Sequence, residues 1–416
     1  MLEFCAADAV ELSDDLTQVE AAVLEQSRRI GAAAVQLHLS RRKLGYEGAA
    51  RPCSCGGVQR FVEHRPKTLA TQMGAVRIRR AYYRCSGCGV SALPYDERVG
   101  LGDVQVSVGL AQAATLLGCQ EVFEDSSRIL HRLTGQRLSP STIERLTERV
   151  GGVASAQQER QAAKIDVWDS PPAEAQPERL YVAVDGTMVH QDDGWHEAKC
   201  VTCYWDDADG RRHARYAVRF VDAAGFVAFV WALACRYGLE SAKEVVLLGD
   251  GAKWIWDHVG GLLKEAVCIV DWYHAMEHVW ARGRALHGEG TKQTEAWVQE
   301  YESLLWDGQV RQILERLRGE RAARRSPRHR KALQALITYI EHQDDRLAYG
   351  RFNAAGLDIG SGRVEAACNH VVGLRMKRGG MRWSKPGSQN TLCLRTTWLN
   401  HDWQRLWDTH PLARAA

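Results

Sequence analysis

The stretches LYVAVDG at residues 180–186 and VVLLGDG at residues 245–251 decide the fold class of this chain. Each is a short, continuously apolar run, typical of a strand buried in a sheet, and each ends in Asp-Gly. Either Asp-Gly alone is explained by a turn. Because a buried carboxylate is costly, two such strand ends together predict that Asp185 and Asp250 meet at one sheet edge. Paired carboxylates there bind a divalent metal or perform acid–base chemistry.

The segments around these strands alternate between strand-like and helix-like patterns. Further strands are predicted at about 197–205, 215–221 and 267–271, and helices at 224–237 and 252–264. The order β-β-β-α-β-α-β indicates an α/β domain, a mixed sheet flanked by helices. A linker is predicted just before this domain, at residues 169–178, because that stretch contains three prolines.

A third carboxylate, Glu365, lies in LDIGSGRVEAACNHVV at residues 357–372, which predicts a glycine-rich turn that enters a helix. The next segment, RMKRGGMRW at residues 375–383, is strongly basic. Phosphodiester chemistry uses acids to hold metal and cations to hold the nucleic acid backbone. The adjacency of this acid and this basic segment therefore favours phosphodiester chemistry.

The N-terminal half contains two close cysteine pairs, each followed by glycine, on either side of a strand-like stretch at residues 74–84. The four cysteines are Cys53, Cys55, Cys85 and Cys88. The pattern predicts a zinc ribbon with a closed, structural site, although the first pair is spaced CxC rather than CxxC. The arginines beside the ribbon leave two roles open, contact with DNA or stabilisation of the fold alone.

Helical patterns surround the ribbon. Residues 15–44 predict a packing or oligomerisation helix, and residues 106–117 and 121–133 predict two shorter helices. The sequence SPSTIE at residues 139–144 predicts another helix start, with proline and a capping box. These helices form either a helix-turn-helix that binds DNA or a packing module.

The formal net charge is only +3, but cations are concentrated in three segments, 51–101, 311–331 and 363–385. That distribution suits binding to a polyanion, and the alternative is a set of solvated arginine-rich helices. The longest strongly apolar run, residues 226–235, is half of what a membrane span needs. The acidic N-terminal residues do not resemble a secretory signal. We therefore expect a cytoplasmic protein without membrane contact.

Four sequences resemble motifs of the DDE transposases of bacterial insertion sequences, in particular the ISKra-type branch related to the Mutator-like group. They are YVAVDG at 181–186, LLGDGA at 247–252, GSGRVEA at 360–366 and KRGGMRW at 377–383. The sequence DWYH at residues 271–274 also resembles the accessory Asp-x-x-His motif of that group. The resemblance covers about residues 180–403.

The resemblance implies a ribonuclease-H-like catalytic domain with an all-α insertion, and the patterns described above predict a helical and zinc-ribbon N-terminal region before it. The expected parts are an N-terminal helical segment (1–50), the zinc-ribbon-like part (51–101), a helical part (102–168), the linker (169–178), the catalytic domain (179–274 plus 350–405), the helical insertion (275–349) and a C-terminal tail (406–416).

The resemblance also implies the roles of individual residues. Asp185, Asp250 and Glu365 would be catalytic and hold two Mg²⁺ or Mn²⁺ ions, with Asp271 and His274 as accessory residues. The residues expected to bind DNA are Arg375, Lys377, Arg378 and Arg382, which would neutralise phosphates, and Trp383, which would stack on an unpaired base.

The implied activity is metal-dependent DNA cleavage and strand transfer at insertion-sequence ends. The implied partner is double-stranded DNA, at element ends and target, bound by a dimer or higher oligomer of a bacterial protein associated with the nucleoid. A nucleotide cofactor is not expected, because the sequence has no GxxxxGK[ST] loop.

Two alternatives remain. The first is a non-catalytic, zinc-dependent DNA-binding protein, such as a decayed or domesticated transposase. The second is a glycosidase that uses two of the carboxylates. The glycosidase alternative lacks an aromatic-rich sugar motif and leaves the basic segments unexplained.

Overall fold

The computed structural model describes residues 15–99, 101, 104–164, 173–360, 368–409 and 412. They form a mixed α/β protein with two sheets, which confirms the α/β class. The chain divides into two compact units: unit 1 contains residues 1–156 and 390–416, and unit 2 contains residues 157–389. The predicted linker at 169–178 falls within the range of unit 2, and its residues 169–172 lie outside the described residues.

Unit 1 begins with a long helix followed by a four-stranded antiparallel sheet with strand order 1-2-3-4. The elements are α1 (Leu16–Ser40), β1 (Ala50–Pro52), β2 (Val58–Thr71), β3 (Gly74–Cys85) and β4 (Ser91–Ala92). Asp15 caps α1 by accepting a hydrogen bond from the Thr17 N–H. Helix α1 lies against β3, where the amide of Gln36 forms two hydrogen bonds with the backbone of Arg77.

Four helices follow the sheet. They are α2 (Pro94–Val99), α3 (Val108–Gln120), α4 (Phe123–Thr134) and α5 (Pro140–Lys164). Helices α3 and α5 pack closely, since a Cβ on Gly118 would lie 2.2 Å from the Thr147 hydroxyl. Their positions agree with the helices predicted from the sequence at 106–117, 121–133 and from 139 onward.

A buried ion pair connects α2 to the sheet of unit 1. The Asp96 carboxylate lies 2.6 Å from the Arg80 guanidinium and 3.7 Å from the Lys67 ammonium group. Burial raises the pKa of Asp96, and the two cations oppose that rise. The carboxylate therefore compensates charges that have little access to water.

We expect Asp96→Ala to lower the free energy of unfolding by about 3–5 kcal/mol, because it leaves the buried Arg80 charge uncompensated. Denaturant unfolding followed by circular dichroism measures the change. The control is Glu63→Ala, which removes the exposed ion pair with Arg65 and should cost less than about 1 kcal/mol. Equal losses in the two variants would contradict the buried-pair explanation.

Unit 2 is built on a five-stranded mixed sheet with strand order β7-β6-β5-β8-β9. The strands are β5 (Arg179–Gln191), β6 (Gly194–Asp206), β7 (Arg212–Arg219), β8 (Glu244–Gly249) and β9 (Val267–Val270). Strands β5, β6 and β7 are antiparallel neighbours, whereas β8 and β9 run parallel to β5. The sequence predicted that β5 ends at Gly186. It continues to Gln191 because β6 pairs with it as far as the turn at 192–193.

Helices follow or interrupt the strands of unit 2. They are α6 (Ala223–Arg236), a π-helical turn (Ile255–Gly260), α7 (Trp272–His287), α8 (Lys292–Trp306), α9 (Val310–Ala323), α10 (Pro327–Gln343), a 3₁₀ turn (Asp344–Leu347), α11 (Tyr349–Ala354), a second π-helical turn (Asn369–Gly373) and α12 (Leu374–Met376). One hydrophobic core extends from the sheet into α7–α11. The Tyr349 hydroxyl, for example, donates to the Val270 carbonyl at 2.9 Å.

The chain ends with α13 (Lys385–Leu399) and α14 (Trp403–Asp408). Residues 390–405, predicted as part of the catalytic domain, are grouped with unit 1. Leu394 and Trp407 belong to the same hydrophobic cluster as Leu110 and Ile143 of α3 and α5. Among the described residues, no helix is both long and apolar enough to cross a membrane.

Candidate active site and metal centre

Three aspartates lie directly after the last residues that pair between the neighbouring parallel strands β5, β8 and β9. Val184 of β5 pairs with Gly249 of β8, which in turn pairs with Val270 of β9. The next residues along these strands are Asp185, Asp250 and Asp271. Because the carboxyl ends of parallel strands meet at one edge, the three aspartates share that edge of the unit 2 sheet.

The Asp185 carboxylate is largely buried and interacts with Asp250. Its Oδ1 accepts a hydrogen bond from the Gly186 N–H at 2.7 Å. Burial raises the pKa of Asp185, and the Asp250 carboxylate adds to the rise, whereas the Gly186 N–H, the nearby Cys368 thiol and His274 oppose it. Two carboxylates in such an environment could hold a divalent cation, which would stabilise the ionised form of both.

Asp250 lies in a tight turn at the end of β8. Its Oδ1 accepts a hydrogen bond from the Ala252 N–H at 2.8 Å, and Gly251 adopts φ +94°, a conformation that favours glycine. The Gly251 carbonyl accepts a hydrogen bond from the Gln343 amide at 2.9 Å. A Cβ on Gly251 would lie 3.3 Å from the Tyr339 hydroxyl, so α10 covers this turn closely.

Asp271 is fully buried and determines where α7 begins. Its Oδ1 accepts a hydrogen bond from the backbone N–H of His274 at 2.9 Å, the geometry of a helix N-cap. Its own N–H donates to the Gly249 carbonyl at 2.8 Å. The His274 ring lies 3.2 Å from the Glu277 carboxylate. Asp271 therefore positions the first turn of α7 beside the two other aspartates.

Two aromatic side chains beside the aspartates, Tyr339 and His278, were not predicted from the sequence to belong to the site. Tyr339 of α10 stacks on His278 of α7 with ring centroids 3.9 Å apart. Burial raises the pKa of Tyr339, and Asp250 and Asp271 add to the rise, so the hydroxyl stays protonated. Burial, and then Arg282, lower the pKa of His278. No local motif marks Tyr339, because only the packing of α10 brings it to this edge.

Glu365 lies outside the described residues, so its role stays a prediction. Gly360 and Cys368 are the nearest described residues on either side of Glu365, and both lie close to residues of the aspartate site. A Cβ on Gly360 would lie 3.1 Å from the Tyr273 ring. The Cys368 thiol is near enough to Asp185 to oppose the rise of its pKa. Cys200, which raises the pKa of Cys368, pairs with Asp185 across β5 and β6.

The basic segment at residues 375–383 lies along the β5–β6 hairpin. The Lys377 ammonium group donates to the Thr187 hydroxyl, two residues after Asp185. The Arg382 side chain donates a hydrogen bond to the Asp192 carbonyl. The backbone of Trp383 pairs with that of Gln191 in an isolated β-bridge. The exposed cations of the segment include Lys377, Arg378 and Arg382. The contacts of the segment with β5 and with the turn after it bring these cations near the sheet edge that holds the three aspartates.

Arg375 and Trp383 do not have the exposure that the predicted DNA contacts need. Arg375 is 1% exposed and Trp383 is 6% exposed, and the guanidinium lies 4.7 Å from the centre of the indole ring. The indole N–H donates to the Met376 carbonyl at 3.3 Å. In this conformation the pair stabilises the base of the loop, so we do not include it in the DNA-binding surface proposed below.

The four cysteines of the N-terminal half converge in unit 1. Their sulfur atoms all lie within 4.8 Å of one another, and two pairs, Cys53 with Cys88 and Cys55 with Cys85, are 3.7 Å apart. A tetrahedron with Zn–S distances of 2.3 Å has edges of about 3.8 Å. This confirms the predicted four-cysteine cluster, which has the donor set and spacing to hold a metal such as zinc.

The backbone around Cys85 favours the thiolate form of that cysteine. Cys53 and Cys55 lie in the β1–β2 turn, and Cys85 and Cys88 lie at the end of β3. Backbone N–H groups of Cys88 and Gly87 donate to the Cys85 sulfur and lower its pKa to about 6. Because thiolates are the metal ligands, this environment favours binding. All four donors belong to the chain, as in closed structural zinc sites.

Comparison with known proteins identifies the family of this chain. A model of the Uncharacterised protein family (UPF0236) matches residues 15–405, so the chain belongs to that family. The match extends over both units and includes the cysteine cluster and the three aspartates. No curated protein matches the chain.

Proposed function

We propose that this member of the UPF0236 family is a DDE-type transposase that cleaves DNA at the ends of an insertion sequence and joins those ends to target DNA. One observation carries the proposal: Asp185 and Asp250 follow directly after paired residues on neighbouring parallel strands. Burial and the Asp250 charge both raise the pKa of Asp185, as expected where a partly buried carboxylate lies near a second one.

The topology of unit 2 supports a ribonuclease-H-like catalytic domain. Three antiparallel strands are followed by two strands parallel to the first, in the order β7-β6-β5-β8-β9. The first and fourth strands carry Asp185 and Asp250, as the resemblance to DDE transposases implies. The helices α7–α10 between β9 and Glu365 correspond to the all-α insertion expected from that resemblance.

In the proposed mechanism, bound metal ions would supply the catalytic charge, and the side chains of the protein would hold those ions and bind the DNA. Two Mg²⁺ or Mn²⁺ ions held by Asp185, Asp250 and Glu365 would activate the attacking water or 3′-hydroxyl and stabilise the leaving oxygen. The chain keeps Asp185 largely out of water and aligns α7 through Asp271. The exposed Lys377, Arg378 and Arg382 would bind phosphates beside the cleaved bond, which predicts strong salt dependence.

The proposed role of the cysteine cluster is structural. A zinc ion bound by all four thiolates has no open position for substrate, so it would stabilise the turns of the unit 1 sheet. We expect the protein to act on double-stranded DNA as a dimer or higher oligomer, because two element ends must be brought together.

The alternative function is a non-catalytic, zinc-dependent DNA-binding protein. The cysteine cluster and the basic segments are compatible with it. The placement of Asp185 and Asp250 directly after paired residues of neighbouring strands favours the enzyme, because a protein that only binds DNA gains nothing from two carboxylates there.

A plasmid that carries the coding region with several hundred flanking base pairs tests the proposed function, because insertion-sequence ends lie beside the transposase gene. We expect the purified protein with Mg²⁺ to break the plasmid within the flanks, and EDTA to prevent the breaks. Sequencing of the new DNA ends measures the positions. Binding to this DNA without metal-dependent breaks would favour the non-catalytic alternative.

A further inference from the structure

A second concentration of positive charge lies far along the chain from the loop at 375–383. Residues 321–331, RAARRSPRHRK, connect α9 to α10 and contain no acid. We call this segment the basic turn. Its six cations are Arg321, Arg324, Arg325, Arg328, Arg330 and Lys331.

The cations of the basic turn lack the ion pairs that neighbouring arginines form. Arg316 pairs with Glu300, and Arg318 lies 2.6 Å from the Glu341 carboxylate. Within the described part of the chain, no carboxylate lies within ion-pair distance of the six cations of the basic turn. Their mutual repulsion is therefore not offset inside the protein, and it would be relieved by an external polyanion.

The placement of these charges is also unfavourable for helix stability. Helix α10 begins at Pro327 after the N-cap Ser326, and its first turn contains no acid. Arg328, Arg330 and Lys331 lie near the positive end of the helix dipole, where anions are favoured. This placement indicates a positive potential that suits a bound anion.

The basic turn borders an open groove of about 650 Å³ along α10. Arg321, Arg330 and Lys331 line it together with the polar side chains of Gln334 and Thr338. All of these side chains can donate hydrogen bonds to phosphate oxygens. An open groove of this kind suits a backbone that passes through it better than a small molecule that must be enclosed.

We propose that the basic turn binds the phosphodiester backbone of duplex DNA, without reading its sequence, at a site separate from the loop at 375–383. The choice of DNA rests on the proposed function. A membrane surface is disfavoured, because the uncharged residues of the turn are small and lack the large apolar side chains that insert into lipid. The chemistry recognised is a regular array of phosphates.

The test compares two double variants that each remove two positive charges, one pair from the basic turn and the other from α9. R325Q/R328Q removes two exposed, unpaired cations of the basic turn, whereas R316Q/R318Q removes two exposed cations with acidic partners. Both are made in the full-length D185N chain, so that cleavage does not disturb the measurement. Fluorescence anisotropy with a labelled duplex of about 30 base pairs, at several salt concentrations, gives affinity and salt dependence.

We expect R325Q/R328Q to weaken binding about tenfold near physiological salt and to reduce the slope of log K against log salt by about two. R316Q/R318Q should remain within about twofold of the parent, with an unchanged slope. Equal losses from the two variants, or no loss from either, would overturn the inference while leaving the proposed function intact. A parent chain that binds no duplex would overturn both. Tighter binding of a duplex RNA of the same length would overturn the assignment to DNA.

Discussion

Asp185→Asn is expected to reduce the rate of metal-dependent DNA cleavage by at least about a thousandfold. The amide has the shape of the carboxylate but not its charge, so it is a poor ligand for a hard divalent cation. Metal stabilisation of the reaction is worth several kcal/mol, and each 1.36 kcal/mol corresponds to about tenfold in rate. Cleavage of the flanked plasmid, with Mg²⁺ and at equal protein concentrations, measures the loss.

DNA binding and folding should survive Asp185→Asn. Because burial raises the pKa of Asp185, its ionised form lowers stability above the pKa of the unfolded chain, so a neutral amide should leave the melting temperature unchanged or higher. The control is Asp209→Asn in the exposed β6–β7 turn, which should cleave like the parent. If Asp185→Asn cleaves within about tenfold of the parent, the carboxylate pair is not the catalytic centre.

Cys85→Ser is expected to remove the metal of the cysteine cluster and to unfold the part of unit 1 around it. Serine is similar in size but does not supply a thiolate, and Cys85 lies 3.7 Å from the Cys55 sulfur. Structural zinc sites contribute about 10–16 kcal/mol in isolated peptides, which is comparable with the whole stability of a domain. Losing one ligand should therefore release the ion and destabilise the ribbon.

Elemental analysis and hydrogen exchange measure the two effects of Cys85→Ser. We expect the parent to contain one zinc per chain and to lose protection in residues 50–92 when zinc is chelated. Cys85→Ser should contain less than about a tenth of that zinc and should exchange like the chelated parent. The control is Cys268→Ser, at a cysteine of β9 outside the cluster, which should keep its zinc. Full zinc content in Cys85→Ser would contradict a four-thiolate site.

The sequence predicted those features that depend on short, local patterns. Two apolar runs followed by Asp-Gly predicted that Asp185 and Asp250 meet at one sheet edge, and the parallel pairing of β5 with β8 puts them side by side. The four cysteines are recognisable because turns with glycine bring each pair together.

The features that the sequence did not predict depend on contacts between distant segments. The continuation of β5 to Gln191 depends on pairing with β6. The proximity of Tyr339 to Asp250 depends on how α10 packs. Arg375 and Trp383 have the residue types of a DNA-binding loop, but their side chains stack on each other in the interior. Residue type alone does not distinguish a buried arginine from one that binds phosphate.

Anomalous diffraction from crystals of the full chain in Mn²⁺ tests the central claim most directly. If Asp185 and Asp250 form a divalent metal site, a manganese peak should lie about 2.0–2.2 Å from an oxygen atom of each carboxylate. The peak should disappear in Asp185→Asn crystals grown in the same way. Zinc at the cysteine cluster together with no manganese peak at the two aspartates would contradict the claim and favour a protein that only binds DNA.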